Sequence, residues 1–476
     1  MRARELFSWY DGALPELPDV LGVTDDLTRV KPGWVFVCIK GARFDGHDNA
    51  AAALAQGAAC VVVERDLGEE AQVQVPDTRA AFSVLCAAWH GNPAHQLHIV
   101  GITGTNGKTS TAFLVRDILE AAGHKVGLIG TVRAEIAHET VDGGGLTTPD
   151  ALTLQALLRH MVDAGCDYCV MEVSSQALAQ RRTAGLWFDA AIYTNLTQDH
   201  LDYHGNMRAY RAAKRCLFPS ASLCVLNADD PESAYMAQST QRRTVYYSLQ
   251  RDGADYVAKN LSQSLDGTDL LAVTKGALAR VHLRTPGRFS AQNAMAALAC
   301  TVELGVPLET AAHALSQSRG IPGRLERVPT DTNYRVYIDY AHTPDALENV
   351  LTTLRECAPR RLLLLFGCGG DRDRAKRPLM GALAARLADE VVLTSDNPRS
   401  EDPQAIINEI LAGCTKRRRH ISVEPDRHRA IAQVLAKAGE GDIVLLAGKG
   451  HEDYQILAGG KIRLDEREVV RAALAS

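Results

Sequence analysis

Short apolar runs and longer amphipathic stretches alternate along nearly the whole chain. Runs at 33–39, 59–63, 97–102, 125–129, 168–173 and 190–195 are rich in Val, Ile and Leu and bounded by Gly, Pro or polar residues. That pattern predicts buried strands. Runs at 336–339, 361–366, 390–394 and 442–447 read the same way. Between them, 50–56, 112–122 and 152–164 carry apolar residues at helical spacing. Residues 136–150 read as a polar loop with three consecutive glycines, and 251–290 as a layer of β-hairpins. The alternation predicts an α/β fold with mostly parallel sheets. Breaks in the pattern, the first near Pro93, suggest three domains: 1–97, 98–325 and 326–476. The length of 476 residues agrees, at about 150 per domain.

In parallel sheets, polar residues at strand C-termini gather along one crevice. Lys108 and Thr109, Glu172 to Ser174, and Asn195 to His200 all follow such strands. The first of these clusters belongs to Gly104, Thr105, Asn106, Gly107, Lys108, Thr109 and Ser110, with a helix after it. Strand, glycine-rich turn, Lys-Thr, helix is the layout of a phosphate-cradling loop. Glycines let backbone N–H groups approach phosphate oxygens closely. Lys108 supplies a positive charge and Thr109 a hydroxyl for Mg²⁺. The common pattern has a further Gly where this chain has Ile102, so the loop is the shorter form GxxGKT. ATP phosphates with Mg²⁺ are the expected ligands.

Composition narrows the class. With 46% hydrophobic and 23% charged residues the chain has the make-up of a soluble protein. A net charge of −5 argues against a nucleic-acid partner. The basic run Lys416, Arg417, Arg418 and Arg419 is expected as a solvated face. No apolar run reaches the ~18 residues of a membrane span. The first residues lack the apolar core of a secretory signal. A cytoplasmic location is therefore expected. Eleven scattered cysteines suit reduced thiols. Cys166 and Cys169 form a lone C-x-x-C without a second pair at zinc spacing, which favours free buried thiols.

Glu172 and His200 are candidate Mg²⁺ ligands at neighbouring strand ends. Glu172 also suits a helix cap. His200 and His204 stand four apart, a spacing that zinc sites use. The acids Asp199 and Asp202 favour a hard cation instead. His204 by itself equally fits a structural turn histidine.

Several segments resemble the Mur ligases, ATP-dependent amide-bond ligases of bacterial cell-wall synthesis. They are the glycine loop, Thr147-Thr148-Pro149, Met171-Glu172-Val173-Ser174-Ser175, Thr194-Asn195-Leu196 and Asp199-His200-Leu201-Asp202-Tyr203-His204-Gly205. Asn227-Ala228-Asp229-Asp230, Pro322-Gly323-Arg324-Leu325-Glu326, Asp339-Tyr340-Ala341-His342-Thr343-Pro344 and Gly448-Lys449-Gly450-His451-Glu452 complete the set, in order over essentially the whole chain. The resemblance implies a UDP-binding domain, a central ATPase domain and a Rossmann-like C-terminal domain. It implies transfer of the ATP γ-phosphate to a substrate carboxylate, then attack of an amine on the acyl phosphate. It also implies that the chain acts as a monomer.

Residue by residue, the resemblance implies the following. Glu172, His200 and Lys214 hold Mg²⁺, with Lys214 as the carbamate (N6-carboxylysine). Asn293, Arg324, Asp339 and Tyr340 hold adenosine. Thr28, Ala42, Arg43 and Phe44 hold UDP; Thr147, Thr148, Ser174, Gln180 and Arg182 hold the muramoyl dipeptide of UDP-N-acetylmuramoyl-L-alanyl-D-glutamate. Asp396, Asn397, Pro398 and Arg399, with Arg372, Gly448 and Glu452, hold meso-2,6-diaminopimelate. Arg399 is expected to pair, buried, with the distal carboxylate. Lysine in its place leaves that guanidinium unpaired, at about 3–5 kcal/mol if fully buried. Three positions depart from the family pattern: Gln176, Ser290 and the triplet Leu27-Thr28-Arg29.

Overall fold

A computed structural model describes residues 1–41, 44–414 and 420–475. Ala42, Arg43 and the basic run 416–419 lie outside the described residues. The chain forms two compact units. One comprises residues 1–247, 253–255 and 296–311; the other comprises 248–252, 256–295 and 312–476. Both are α/β.

In the first unit, β1 (Gly22–Thr24), β2 (Trp34–Val37), β3 (Cys60–Val63) and β4 (Gln72–Gln74) form a parallel sheet in that order. Val35, Phe36, Val37 and all of β3 are buried, as strands covered on both faces must be. The helix Thr78–Trp89 covers one face with Phe82 and Leu85, and Asp77 caps its start by accepting from the Ala80 N–H.

A larger sheet follows. Its strands are β5 (His98–Thr103), β6 (Val126–Ile129), β7 (Ala134–Ile136), β8 (Glu139–Val141), β9 (Tyr168–Glu172), β10 (Phe188–Tyr193), β11 (Ala221–Asn227) and β12 (Arg243–Ser248). Within this unit they lie in the order β12-β11-β10-β5-β9-β6-β7-β8. The pairings from β12 to β6 are parallel, and β7 and β8 add an antiparallel hairpin. β5 is central. β9 flanks it on one side and β10 on the other, so the C-terminal ends of three strands meet at one edge.

Two sequence expectations are corrected here. The stretch 136–150 is not wholly loop, because Ala134–Ile136 and Glu139–Val141 pair through a two-residue turn. Ala137 and His138 both take positive φ, as such a hairpin turn requires. Neither is Gly or Asn, so the turn carries no compositional signal. The helix after the glycine loop begins at Lys108, not 112. Its polar first turn hides the start from the apolar pattern.

In the second unit, β13 (Tyr256–Ser264), β14 (Gly267–Thr274) and β15 (Ala277–Leu283) form the expected antiparallel hairpins. β16 (Glu326–Val328), β17 (Arg335–Asp339), β18 (Leu362–Phe366), β19 (Glu390–Leu393), β20 (Ile421–Val423) and β21 (Ile443–Ala447) form a sheet in the order β16-β17-β21-β18-β19-β20. All its pairings are parallel except β16 with β17. β18 and β21 are buried throughout between two layers of helices. β22 (Tyr454–Leu457) and β23 (Gly460–Arg463) add a hairpin.

Two buried arginines organise the C-terminal edge of this sheet. The Arg427 side chain is fully buried, with Nε donating to Glu466 Oε1 at 2.8 Å. Its Nη1 donates to Ser395 O at 3.0 Å and its Nη2 to Ala447 O at 3.1 Å, clamping the ends of β19 and β21. Arg377 is equally buried. It donates to both oxygens of Glu401, to Glu409 and to Gly369 O.

Removing one partner of a buried pair strands the other charge. Arg427→Met should therefore cost about 3–5 kcal/mol in urea unfolding, with much of that recovered in the double variant that adds Glu466→Leu. The Arg377 hydrogen bonds hold the Glu401 carboxyl down at about 2. A depressed folded pKa stabilises above the ordinary carboxylate range and fades as pH falls towards 2. Glu401→Gln should thus destabilise at pH 7, with the difference from wild type shrinking in melts between pH 4.5 and 2.5.

Candidate functional site

The glycine loop lies at the end of β5 and is held by the end of β10. Gly104 approaches Thr194 so closely that a Cβ there would meet Thr194 Oγ1 at 1.8 Å. Thr194 Oγ1 donates to Asn106 O at 2.6 Å, and Asn106 N donates to Asn195 Oδ1 at 2.9 Å. Thr105 Oγ1 accepts from Thr197 N at 3.0 Å and lies 3.1 Å from the Tyr210 hydroxyl. Gly107, at φ 86°, precedes the first helical residue, Lys108. Lys108 Nζ folds back over the loop to Gly104 O at 3.0 Å and Thr105 O at 2.9 Å. Backbone donors and an ammonium at a helix N-terminus make an anion cradle.

The Glu172 carboxylate ends β9, buried to 1% exposure. It accepts from Thr109 Oγ1 at 3.0 Å, Thr131 N at 2.8 Å and Thr131 Oγ1 at 3.1 Å. It does not cap a helix; Ser174 does that, accepting from Ala177 N. Gly130 leaves room for it, since a Cβ there would meet Glu172 Oε1 at 2.3 Å.

From Glu172 a chain of hydrogen bonds runs outward. Thr131 Oγ1 lies 3.0 Å from Thr147 Oγ1. Thr148 Oγ1 donates to Glu172 O at 2.8 Å and accepts from Ser174 N at 2.9 Å. Arg182 Nη1 donates to Thr148 O, while its Nε and Nη2 both reach Gln180 Oε1. Gln180 Nε2 donates to the Tyr203 hydroxyl. The five residues matched to the dipeptide are thus one connected set. Thr28 is exposed and among the described residues bonds only Asp26, and Phe44 is exposed. Nothing among the described residues ties either to that set.

Lys214 is buried, with Nζ donating to Gly104 O at 2.7 Å and lying 4.6 Å from the Tyr210 ring centre. Burial, then the nearby Lys108 charge, hold its amine well below the ordinary lysine range. His200 lies against Asp199 and the Tyr210 ring. Burial pulls its pKa down, Asp199 opposes, and Lys108 and Lys214 add to the lowering. His204 Nε2 is 2.9 Å from Ser175 Oγ, a structural contact. Among the described residues no three His, Cys, Asp or Glu side chains form a ready metal cage. All eleven cysteines are free.

In the second unit, Arg324 lies over the Tyr340 ring at 4.7 Å. Asp339 accepts from Leu325 N at 2.6 Å and Ala341 N at 2.8 Å. Burial raises its pKa against the Arg324 charge and those two bonds. His451 packs 5.1 Å from Tyr340, and burial pushes its imidazole down to about 4. Asn293 is buried on the helix Arg288–Glu303.

The residues matched to the amine substrate also come together. Arg399 Nη1 donates to Gly370 O at 2.8 Å, and Gly370 N donates to Asn397 O at 2.9 Å. A Cβ on Gly369 would meet Arg399 Nη1 at 3.1 Å and Arg372 Cγ at 3.7 Å, so the Arg399 guanidinium and the Arg372 stem flank one glycine. A Cβ on Gly448 would lie 3.7 Å from Asp396 Oδ2. Asn397 Nδ2 donates to Glu452 Oε2 at 2.9 Å. Cationic and anionic groups side by side suit a zwitterion. Arg399 itself is half-buried, not buried, so solvent reduces the cost of leaving it unpaired.

Some of these residues went unnoticed in the sequence. Thr131 and Gly130 carry no pattern of their own; only the fold brings them onto Glu172. Arg377 and Arg427 look like surface positions of amphipathic helices.

A glycine loop suited to phosphate at a topological switch point, a buried carboxylate beside its Thr, and cationic and anionic side chains brought together on a second α/β unit fit a nucleotide-driven transferase or ligase. The chain belongs to the Mur ligase family. It matches the Mur ligase middle domain over residues 102–301, the glutamate ligase domain over 323–450 and the Mur ligase family catalytic domain over 22–90. It is 44% identical over 468 residues to the UDP-N-acetylmuramoyl-L-alanyl-D-glutamate–2,6-diaminopimelate ligase of Geobacillus kaustophilus, covering 96% of this chain and 95% of the relative. A solved structure of a ligase of that name, 34% identical, superposes with a TM-score of 0.75 over 100% of this chain and 99% of the other. A folylpolyglutamate synthase from Mycobacterium tuberculosis, 19% identical, covers 78% of this chain and 92% of its own at a TM-score of 0.64, which is a likeness of fold.

Because Gly104 has no room for a methyl group, Gly104→Ala should weaken ATP binding more than about ten-fold in calorimetric titration.

Proposed function

We propose that the protein joins meso-2,6-diaminopimelate to UDP-N-acetylmuramoyl-L-alanyl-D-glutamate, with ATP converted to ADP and phosphate, in peptidoglycan biosynthesis. One observation carries the reading: the cluster of Asp396, Asn397 and Arg399, with Asn397 bonded to Glu452 and Arg399 to Gly370 O, in a chain 44% identical over nearly its full length to a ligase so named. The functional domains are 1–97 for UDP, 98–325 for ATP hydrolysis and 326–476, Rossmann-like, for the amino acid.

A carboxylate is a poor electrophile, so it is first phosphorylated. The dipeptide carboxylate attacks the γ-phosphorus, the bond to the β-phosphate oxygen breaks, and ADP leaves. The amine then attacks the acyl phosphate, and the tetrahedral intermediate collapses to an amide and phosphate. Lys108 and the loop N–H groups offset the charge that builds on the phosphates. Thr147, Thr148, Ser174, Gln180 and Arg182 orient the dipeptide, and Thr28, Ala42, Arg43 and Phe44 the UDP. Asn293, Arg324, Asp339 and Tyr340 are assigned to the adenosine. Asp396, Asn397 and Glu452 take the ammonium side of diaminopimelate; Arg372 and Arg399 take the carboxylate side, with Pro398 and Gly448 shaping the loop.

Mg²⁺ fits the donor set at Thr109 and Glu172. These are hard oxygens 3.0 Å apart, and Mg²⁺ commonly needs only one or two carboxylates besides substrate phosphates. When bound, it neutralises phosphate charge. His200 is the further candidate ligand. The Lys214 amine, whose pKa burial and the Lys108 charge lower, suits carbamate formation and a second Mg²⁺.

A net charge of −5 argues against nucleic acid. No helix of the described residues is long and apolar enough to cross a membrane. A cytoplasmic monomer is proposed.

Phosphate release should require ATP, the UDP-muramoyl dipeptide and diaminopimelate together, with lysine at least about ten-fold poorer in kcat/KM. Arg399→Ala should raise the KM for diaminopimelate and leave ATP affinity near wild type. Equal loss of both would sink the assignment, and release with no amine at all would overturn the ligase reading.

A further inference from the structure

Lys449 lies in the turn after β21, between Gly448 at φ 109° and Gly450 at φ 55°. Those left-handed flanks turn its side chain inward, and it is fully buried. Its Nζ donates to Asn397 Oδ1 at 2.8 Å, to Glu452 Oε2 at 2.8 Å and to Asp396 Oδ1 at 3.3 Å. An ammonium has three hydrogens, and all three are used. We propose that Lys449 is the positioning residue that sets amine recognition, by fixing Asp396, Asn397 and Glu452 in one arrangement.

The bonding pattern fixes each of the three. Asn397 Oδ1 also accepts from Ile456 N at 2.9 Å, which fills both of its lone pairs. Its amide therefore has one orientation, with Nδ2 towards Glu452. A flip would set NH₂ against an ammonium and a backbone N–H. Glu452 Oε2 takes bonds from both Lys449 and Asn397, while Oε1 accepts none among the described residues. Asp396 likewise turns Oδ1 to Lys449 and keeps Oδ2 towards Gly448. Two carboxylates against one ammonium leave a single negative charge. One further ammonium, the incoming substrate's, completes it. Without Nζ, the two carboxylates face each other with no cation between them; Asn397 keeps Ile456 N and its bond to Glu452, and Asp396 Oδ1 loses its Lys449 partner. The carboxylates repel, and Glu452 Oε1 and Asp396 Oδ2 lose their aim.

Lys449 touches no reacting atom in this account. Its effect should fall on the KM for the amine rather than on ATP use. The inference rests on diaminopimelate being the amine. Diaminopimelate-dependent phosphate release by the wild-type protein tests that point first and separately.

The experiment compares Lys449→Met and Lys449→Gln with wild type in full steady-state kinetics, with thermal melts alongside. Lys449→Met should raise the KM for diaminopimelate at least about thirty-fold, about 2 kcal/mol. The KM values for ATP and the UDP-muramoyl dipeptide should stay within about two-fold. Lys449→Gln, which keeps a neutral donor, should fall between Met and wild type. An unchanged KM for diaminopimelate overturns the proposal, as does a parallel rise in all three KM values. Loss of the folded state in both variants also overturns it, since Lys449 would then serve stability alone.

Discussion

A carboxylate taken out of water is costly unless hydrogen-bond donors reach both of its oxygens. Glu172 meets that demand with Thr109, at the first turn of the loop helix, and with the backbone and hydroxyl of Thr131. This one requirement welds the end of β9 to the phosphate cradle and to the segment after β6. It also explains Gly130, where a side chain would fill the space the carboxylate needs. Because Thr148 bonds the Glu172 carbonyl, the residues proposed for the dipeptide, out to Arg182, inherit their positions from the same point.

The second unit answers the opposite problem. Its loops after β18, β19 and β21 carry carbonyls and carboxylates that need donors in a dry interior. Three fully buried cations, Arg377, Arg427 and Lys449, supply them. Arg377 holds Glu401 and Gly369, Arg427 holds the chain at Ser395 and Ala447, and Lys449 holds Asp396, Asn397 and Glu452. The forked guanidiniums serve where several separate oxygens need donors, and the compact ammonium serves where three converge. An exposed lysine or arginine could not do this, because water would compete for every bond.

Helix and strand identity was legible wherever burial imposes a period. β5, β9, β10, β18 and β21 show as apolar runs because both faces of a parallel strand are covered. The glycine loop was legible because backbone geometry restricts residue choice at Gly104 and Gly107. The hairpin β7–β8 was not, since Ala137 and His138 occupy its turn without a turn composition. The half-buried state of Arg399 was also not legible, because exposure depends on which loops cover a side chain.

The chain alone determined the alternation of strands and helices, the phosphate loop, and the family motifs that name candidate residues. Those follow from short-range rules of period, turn conformation and local spacing. Only the tertiary structure decided that Glu172 faces Thr131, that Thr148 to Arg182 form one hydrogen-bonded set, and that Lys449 turns inward to three acceptors. Such contacts join residues tens of positions apart. They are chosen by the need to satisfy buried charge, and no local pattern in the sequence records that need.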